Sequence, residues 1–212
     1  MKLGICIPYY ENTIEMKEQF GFLLDILLPQ LNKEALLVII VNGIEVDWVD
    51  HYKRYNVQII HQKEANVSMA RNKGIIYLKD NKCSHIVFID ADDSISCDYL
   101  SEITKAVIKS PDKDMFDSRF IWNGYETWGT RKTRNQLKNR FRGSIIGTVY
   151  NVSYLGDIMF DEKLKYAEDV DFNTRLWENK TPNKENFGGI YVYNKGVNPD
   201  SLVMRHMRGE KI

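Results

Sequence analysis

Three carboxylates, Asp90, Asp92 and Asp93, lie where the apolar run His85-Ile86-Val87-Phe88-Ile89 gives way to a loop. Asp90 and Asp92 are two positions apart, so in extended chain they share a face while Ala91 points away. Their oxygens can then reach one hard cation and a diphosphate that it carries. The same acids suit a turn capping a helix that opens near Cys97-Asp98-Tyr99, since Asp and Ser are favoured at helix N-termini. A second acidic group, Glu168-Asp169-Val170-Asp171, opens a run in which Phe172, Leu176 and Trp177 recur at helical spacing. The macrodipole favours negative charge in a first helical turn. A carboxylate there, facing a cation across a cleft, is also a general base able to deprotonate an alcohol. A third feature is basic: Arg131, Lys132, Arg134, Lys138, Arg140 and Arg142 crowd into twelve positions, with Trp122, Tyr125, Trp128 and Phe141 nearby. This is either a solvated helix face or an acceptor contact with an aromatic stacking platform.

The elements that must position these groups alternate. Residues 2–8 are too apolar for a surface strand and suit the centre of a parallel sheet covered on both faces. Residues 13–28 carry Ile14, Phe20, Leu23, Leu24, Leu27 and Leu28 at helical spacing, ended by Pro29. Residues 35–41 form a second buried strand ending at Asn42-Gly43, and 58–60 a short third one. A helix over 68–78 and a fourth strand over 86–89 follow. The alternation predicts an α/β sheet with right-handed crossovers, whose ligands bind outside the carboxyl ends of the strands. Asp90 to Asp93 stand at such an end.

Composition sets the outer bounds: 212 residues, 43% hydrophobic and 27% charged, describe a soluble chain with one core. The zero net charge provides no global field to recruit nucleic acid or an anionic membrane. No stretch nears the roughly 18 apolar residues of a membrane span, and residues 3–8 read as a strand rather than a signal peptide. The expectation is a cytoplasmic protein without stable membrane insertion. Cys6, Cys83 and Cys97 lack metal-ligand spacing and read as reduced thiols, with Cys6 in the core. His51, His61 and His85 have no Cys or Asp at ligand spacing and read as structural or exposed. No Gly-x-Ser-x-Gly elbow occurs, and Tyr9-Tyr10-Glu11-Asn12 after the first strand is no glycine-rich phosphate loop.

Four motifs in order carry a resemblance. Ile5-Cys6-Ile7-Pro8-Tyr9-Tyr10-Glu11, Ala65-Asn66-Val67-Ser68-Met69-Ala70-Arg71-Asn72-Lys73-Gly74-Ile75, Phe88-Ile89-Asp90-Ala91-Asp92-Asp93 and the segment from Phe160 through Glu168-Asp169 to Phe172 follow one another. Together they resemble the family 2 glycosyltransferases over nearly the whole chain. The resemblance implies a GT-A fold: α/β, a Rossmann-like mixed sheet flanked by helices, one domain over 1–212. Residues 1–93 would be its nucleotide-sugar-binding half and 94–212 its acceptor-binding half. It further implies that Pro8, Tyr9, Glu11 and Asn42 border the base and ribose, and that Arg71 approaches base or phosphates. Asp90, Ala91 and Asp92 would line the nucleotide-sugar, with Asp90 and Asp92 holding Mn²⁺ or Mg²⁺ and Asp169 acting as the catalytic base. Glu168, Trp122 and Trp128 fall on the acceptor side.

Two departures stand out. Val41-Asn42-Gly43 occupies the usual Asp-Asp-Gly, which leaves the choice of nucleotide open, with UDP first. The segment Tyr191 to Leu202 lacks the His often found before its Asn-Ser pair, for which His206 is a substitute metal ligand. The further helices or membrane spans of polymerising members do not occur before Ile212, so transfer of a single sugar is expected. The leading expectation is a metal-dependent, inverting transfer from a UDP-sugar to a hydroxyl of a glycan or surface saccharide. The alternatives are transfer to modified DNA or protein, a nucleotidyltransferase, and a non-catalytic sugar-nucleotide or glycan-binding module. Which sugar, which acceptor and which oligomeric state stay open.

Overall fold

The two longest uninterrupted apolar runs become neighbouring strands at the centre of the molecule. In the computed structural model, β1 (Leu3–Tyr9) and β2 (Ala35–Asn42) are buried at every position, as strands covered on both faces must be. The structure describes residues 1–54, 56–122, 125–128, 144–194 and 209, and for Trp122 and 125–128 the backbone alone. β3 (Val57–Gln62) pairs with β2, and β4 (His85–Phe88) pairs with the other edge of β1, all in parallel. The connections run through α1 (Ile14–Leu27) and α2 (Val67–Asp80). Each of these helices begins at a side-chain cap. Thr13 accepts from the Met16 amide at 3.2 Å and Asn66 from the Met69 amide at 2.9 Å. A cap of this kind stabilises by about 1 kcal/mol.

The expected strands and helices all form, within a residue or two of their predicted bounds. Pro29 does not simply end α1; it sits in a 3₁₀ turn, Leu28–Gln30, that follows directly on the helix. α2 lies close on the sheet because Gly74 faces β1. A Cβ there would fall 2.2 Å from the Cys6 sulfur. Cys6 and Cys83 are buried free thiols, and Cys97 is an exposed one.

The rest of the sheet is mixed. It continues through β5 (Ser94–Ile95), α3 (Tyr99–Lys109), β6 (Met115–Trp122), β7 (Tyr125–Trp128), β8 (Thr148–Asn151), the single turn α4 (Val152–Leu155), α5 (Glu168–Asn179) and β9 (Lys184–Tyr193). The strand order is β3-β2-β1-β4-β8-β6-β9-β5, with β7 paired to β6. β8 runs antiparallel to β4 and to β6, β9 runs parallel to β6, and β5 is antiparallel to β9. One sheet therefore passes through both the 1–93 and the 94–212 portions. No helix among the described residues is long and apolar enough to cross a membrane.

Strand order also fixes where a ligand can bind. The chain walks outward from β1 to β2 to β3, then returns to the other side of β1 as β4. The crevice at such a reversal opens beyond the carboxyl ends of the strands flanking it. Those ends are Tyr9-Tyr10-Glu11 and Ile89-Asp90-Ala91-Asp92-Asp93.

Candidate active site at the sheet reversal

Past β4, the acidic segment folds back on itself, with the Asp93 amide donating to the Asp90 carbonyl at 3.1 Å. The three acids then part ways. Asp93 is fully buried, with its carboxylate accepting from the Tyr191 hydroxyl at 2.6 Å and the Asn194 amide at 3.0 Å. Asp90 and Asp92 stay half-buried, while Ala91 is buried. Burial and the neighbouring Asp90 push the Asp92 carboxyl up to about 6, against a smaller opposing pull from Arg71. The helix-capping role is not theirs, since the N-cap position of α3 is Asp98, which makes no side-chain cap hydrogen bond.

Opposite them stands the start of α5. Its cap residue Ala167 is left-handed (φ 57°) and offers no side-chain oxygen to the exposed amides. Glu168, Asp169 and Asp171 fill the first turn instead, where the helix dipole favours them. Burial, then the adjacent Glu168, raises the Asp169 carboxyl. A Ser144 hydrogen bond, the Arg71 charge and the Val170 amide at 2.8 Å oppose that rise.

One guanidinium joins the two acidic groups. Arg71, from α2, donates through Nη1 to Glu168 at 2.6 Å and through Nη2 to Asp90 at 3.0 Å. Its side chain is 5% exposed and that of Glu168 is 9% exposed. Burial alone would lower the Arg71 pKa, but Asp90, Glu168 and Asp169 together hold it above its ordinary value. Tyr193 senses both groups: burial, then Asp93, Asp92, Asp90 and Asp169, push its phenol up to about 12.

Several expected binding residues have partners within the protein. Tyr9 was expected beside the nucleotide, yet its ring is fully buried and stacked on Phe20 at 4.2 Å, because β1 is covered on both faces. Its hydroxyl donates to Glu11, which also accepts from the Trp48 indole at 2.8 Å. Tyr9 thus aims Glu11, and Pro8 is buried in the same strand. Glu168 was expected on the acceptor side, but it is the buried counter-ion of Arg71. Arg71 in turn is enclosed by its two acids rather than presented to solvent. Asn42 accepts at its side-chain oxygen from the Gln62 amide group at 3.0 Å and the Asn66 backbone amide at 2.8 Å. A backbone N–H can only donate, so the orientation of Asn42 is fixed and its acceptor is engaged within the protein.

The backbones of Trp122 and Trp128 lie on β6 and β7, and their side chains are outside the described residues. His206 and the basic residues between 131 and 142 are also outside them. Of the other histidines, His85 is buried and His61 contacts Asp50 at 3.2 Å on the surface. Trp48, Tyr191, Tyr193 and Asn194 complete the site without any signal in the spacing of the acidic motifs. Each meets its partner only through sheet pairing or loop packing.

The donor set suits a hard divalent cation carrying phosphate. Among the described residues no three His, Cys, Asp or Glu side chains converge as a closed cage. Mg²⁺-type sites commonly take one or two carboxylates and complete their shell with phosphate and water. Asp90 keeps one oxygen free of Arg71, and a cation would offset the burial and the Asp90 charge that together raise Asp92.

Comparison with known proteins gives this geometry a setting. The family described as Glycosyl transferase family 2 matches residues 5–162. The "Uncharacterized glycosyltransferase EpsJ" of Bacillus subtilis (strain 168) is 24% identical over 230 residues, covering 94% of this chain and 62% of that protein. The crystal structure of S. aureus TarS 1-349 with UDP-GlcNAc superposes with a TM-score of 0.69 at 19% identity, over 92% of this chain and 60% of that one. The UDP complex of the same protein gives 0.64 at 20% identity, over 92% and 58%. The fold is therefore that of the GT-A glycosyltransferases. The chain spans about three fifths of the length of these relatives.

Proposed function

The chain belongs to glycosyl transferase family 2, and on that premise we propose that it moves a single sugar from a UDP-sugar to a hydroxyl acceptor, with inversion at the anomeric carbon. The observation that carries the reading is the Arg71 guanidinium spanning Asp90 and Glu168, which keeps the Asp90/Asp92 pair and Asp169 across one crevice from each other. UDP is the first choice of nucleotide because the structural relative TarS has been crystallised with UDP and with UDP-GlcNAc.

Asp90 and Asp92 would hold Mn²⁺ or Mg²⁺, which when bound supplies positive charge to the departing diphosphate. Arg71 pairs with one Asp90 oxygen at 3.0 Å and so orients that carboxylate towards the site. Asp169 takes the proton of the acceptor hydroxyl. The acceptor oxygen forms its bond to the anomeric carbon from the face opposite the leaving group as the bond to the diphosphate breaks. One displacement of this kind inverts configuration and leaves a nucleoside diphosphate. The elevated pKa of Asp169 favours this work, because a base closer in pKa to the working pH transfers a proton more efficiently. A glycan or surface saccharide is the acceptor proposed, and the cytoplasm the compartment.

The test is calorimetric titration of UDP, GDP, CDP and TDP with and without Mn²⁺, on wild type and Asp92→Ala. UDP-selective, Mn²⁺-dependent binding that collapses in Asp92→Ala supports the donor site. Absence of nucleotide binding in every condition refutes it. Asp169→Asn separates an enzyme from a binder: UDP binding is retained while UDP release from a UDP-sugar falls by about 10²-fold or more.

A further inference from the structure

The carboxyl end of β9 grips the acidic loop by four hydrogen bonds. The Tyr191 hydroxyl accepts from the Asp90 amide at 3.1 Å and donates to the Asp93 carboxylate at 2.6 Å. The Asn194 backbone amide donates to the other Asp93 oxygen at 3.0 Å, and its side-chain amide donates to the Asp92 carbonyl at 3.1 Å. The next residue pair after the loop, Ser94 with Val192, is already in register within the sheet. We infer that Tyr191, Asp93 and Asn194 are positioning residues, which set the loop backbone so that Asp90 and Asp92, and not Asp93, converge on a divalent cation. The inference rests on the reading of Asp90 and Asp92 as the cation pair.

The chemistry of each group supports this. A tyrosine hydroxyl is one of the few side-chain groups that accept from an amide and donate to a carboxylate at once. The Asp90 amide stands at the loop entrance, just beyond the β4 ladder, and Tyr191 supplies its acceptor. Asp93 has a donor on each oxygen, the Tyr191 hydroxyl on one and the Asn194 backbone amide on the other. It is therefore held away from Asp90 and Asp92, so a three-acid sequence presents a two-acid site. The Tyr191 ring is locked independently of its hydroxyl, stacked on Phe120 at 5.9 Å and set edge-on to Tyr99 at 6.4 Å. Removing the oxygen alone should leave the packing in place and free the loop.

The experiment compares the full chain with Tyr191→Phe and Asn194→Ala by Mn²⁺ titration followed by electron paramagnetic resonance and by thermal melting. Loosening the second layer of a metal site typically weakens its affinity by about tenfold, and that loss of Mn²⁺ affinity is expected for Tyr191→Phe, with a smaller loss for Asn194→Ala. The melting temperature should stay close to wild type. Unchanged Mn²⁺ affinity in both variants, with wild type binding Mn²⁺, overturns the inference and leaves the functional reading intact. So does a loss of Mn²⁺ binding that runs in parallel with a fall in melting temperature, which marks a merely structural role. If Tyr191→Phe does not fold, Asn194→Ala decides, since it removes one amide at a half-buried position. A wild type that binds neither Mn²⁺ nor UDP refutes the functional reading itself.

Discussion

Replacing Arg71 by Met tests the central electrostatic arrangement. The substitution keeps much of the side-chain volume on α2 but removes the cation that Glu168 and Asp90 share. Glu168, 9% exposed, is then left buried with its charge uncompensated, a situation that typically costs about 3–5 kcal/mol. Asp90, 29% exposed, can draw on water and adds at most about 1 kcal/mol. The expected loss is thus about 3–5 kcal/mol, dominated by Glu168. For a chain of this size each kcal/mol moves the melting temperature by about 2–4 °C, so the melt should fall by roughly 6–20 °C. Urea unfolding of wild type, Arg71→Met, Glu168→Gln and the double variant closes a cycle. If the orphaned Glu168 charge is the cause, the double variant recovers about half or more of the Arg71→Met loss, because the charge is gone. A loss below about 1 kcal/mol in Arg71→Met would refute the reasoning. Losses that simply add in the double variant would refute it too.

The Asp92 carboxyl, at about 6, binds a proton in competition with a cation, so Mn²⁺ affinity should level off above pH 6 and fall by about tenfold per pH unit below it. Affinity that is flat from pH 5 to 7.5 would contradict that assignment. Burial lowers His85 to about 4, helped by the N-terminal charge, against 6.5 for the ordinary group. The unfolded chain therefore binds the extra proton first, and stability present above pH 6.5 is lost as pH falls towards 4. Relative to His85→Gln, wild type should lose up to about 2 kcal/mol between pH 7 and 5 in urea titrations, and equal slopes for the two proteins would rule out this account. Gly74→Ala drives a methyl to 2.2 Å from the Cys6 sulfur and should cost about 1–3 kcal/mol. Cys6→Ala in the same chain should restore much of that loss in chemical denaturation, and no restoration would mean that another contact limits the approach of α2.

Local pattern was enough to read the first half of the fold. The runs at 3–9 and 35–42 are apolar at nearly every position, and only a doubly covered strand buries all of them, so β1 and β2 were legible without a partner in view. The same holds for α1 and α2, whose caps lie within three residues of the amides they satisfy. The end of β4 and the first turn of α5 were likewise legible as acidic sites, because sequence spacing alone puts those carboxylates at element ends.

What spacing could not assign was the work of each acid. Asp90, Asp92 and Asp93 are near-identical neighbours in the chain, and their difference arises from Tyr191 and Asn194, about a hundred residues away. Glu168 and Asp169 are adjacent too, yet Arg71, 97 residues before Glu168, makes one a buried counter-ion and leaves the other to titrate high. Tyr9 was placed beside the nucleotide by the resemblance of its motif, and its ring is core because Phe20 of α1 stacks on it. The sequence by itself determined which elements form and which of their ends carry charge, since both follow from interactions within a few residues. Only the tertiary structure decided which charges are partnered, since that depends on a strand order that brings β9, α2 and α5 to the carboxyl ends of β1 and β4.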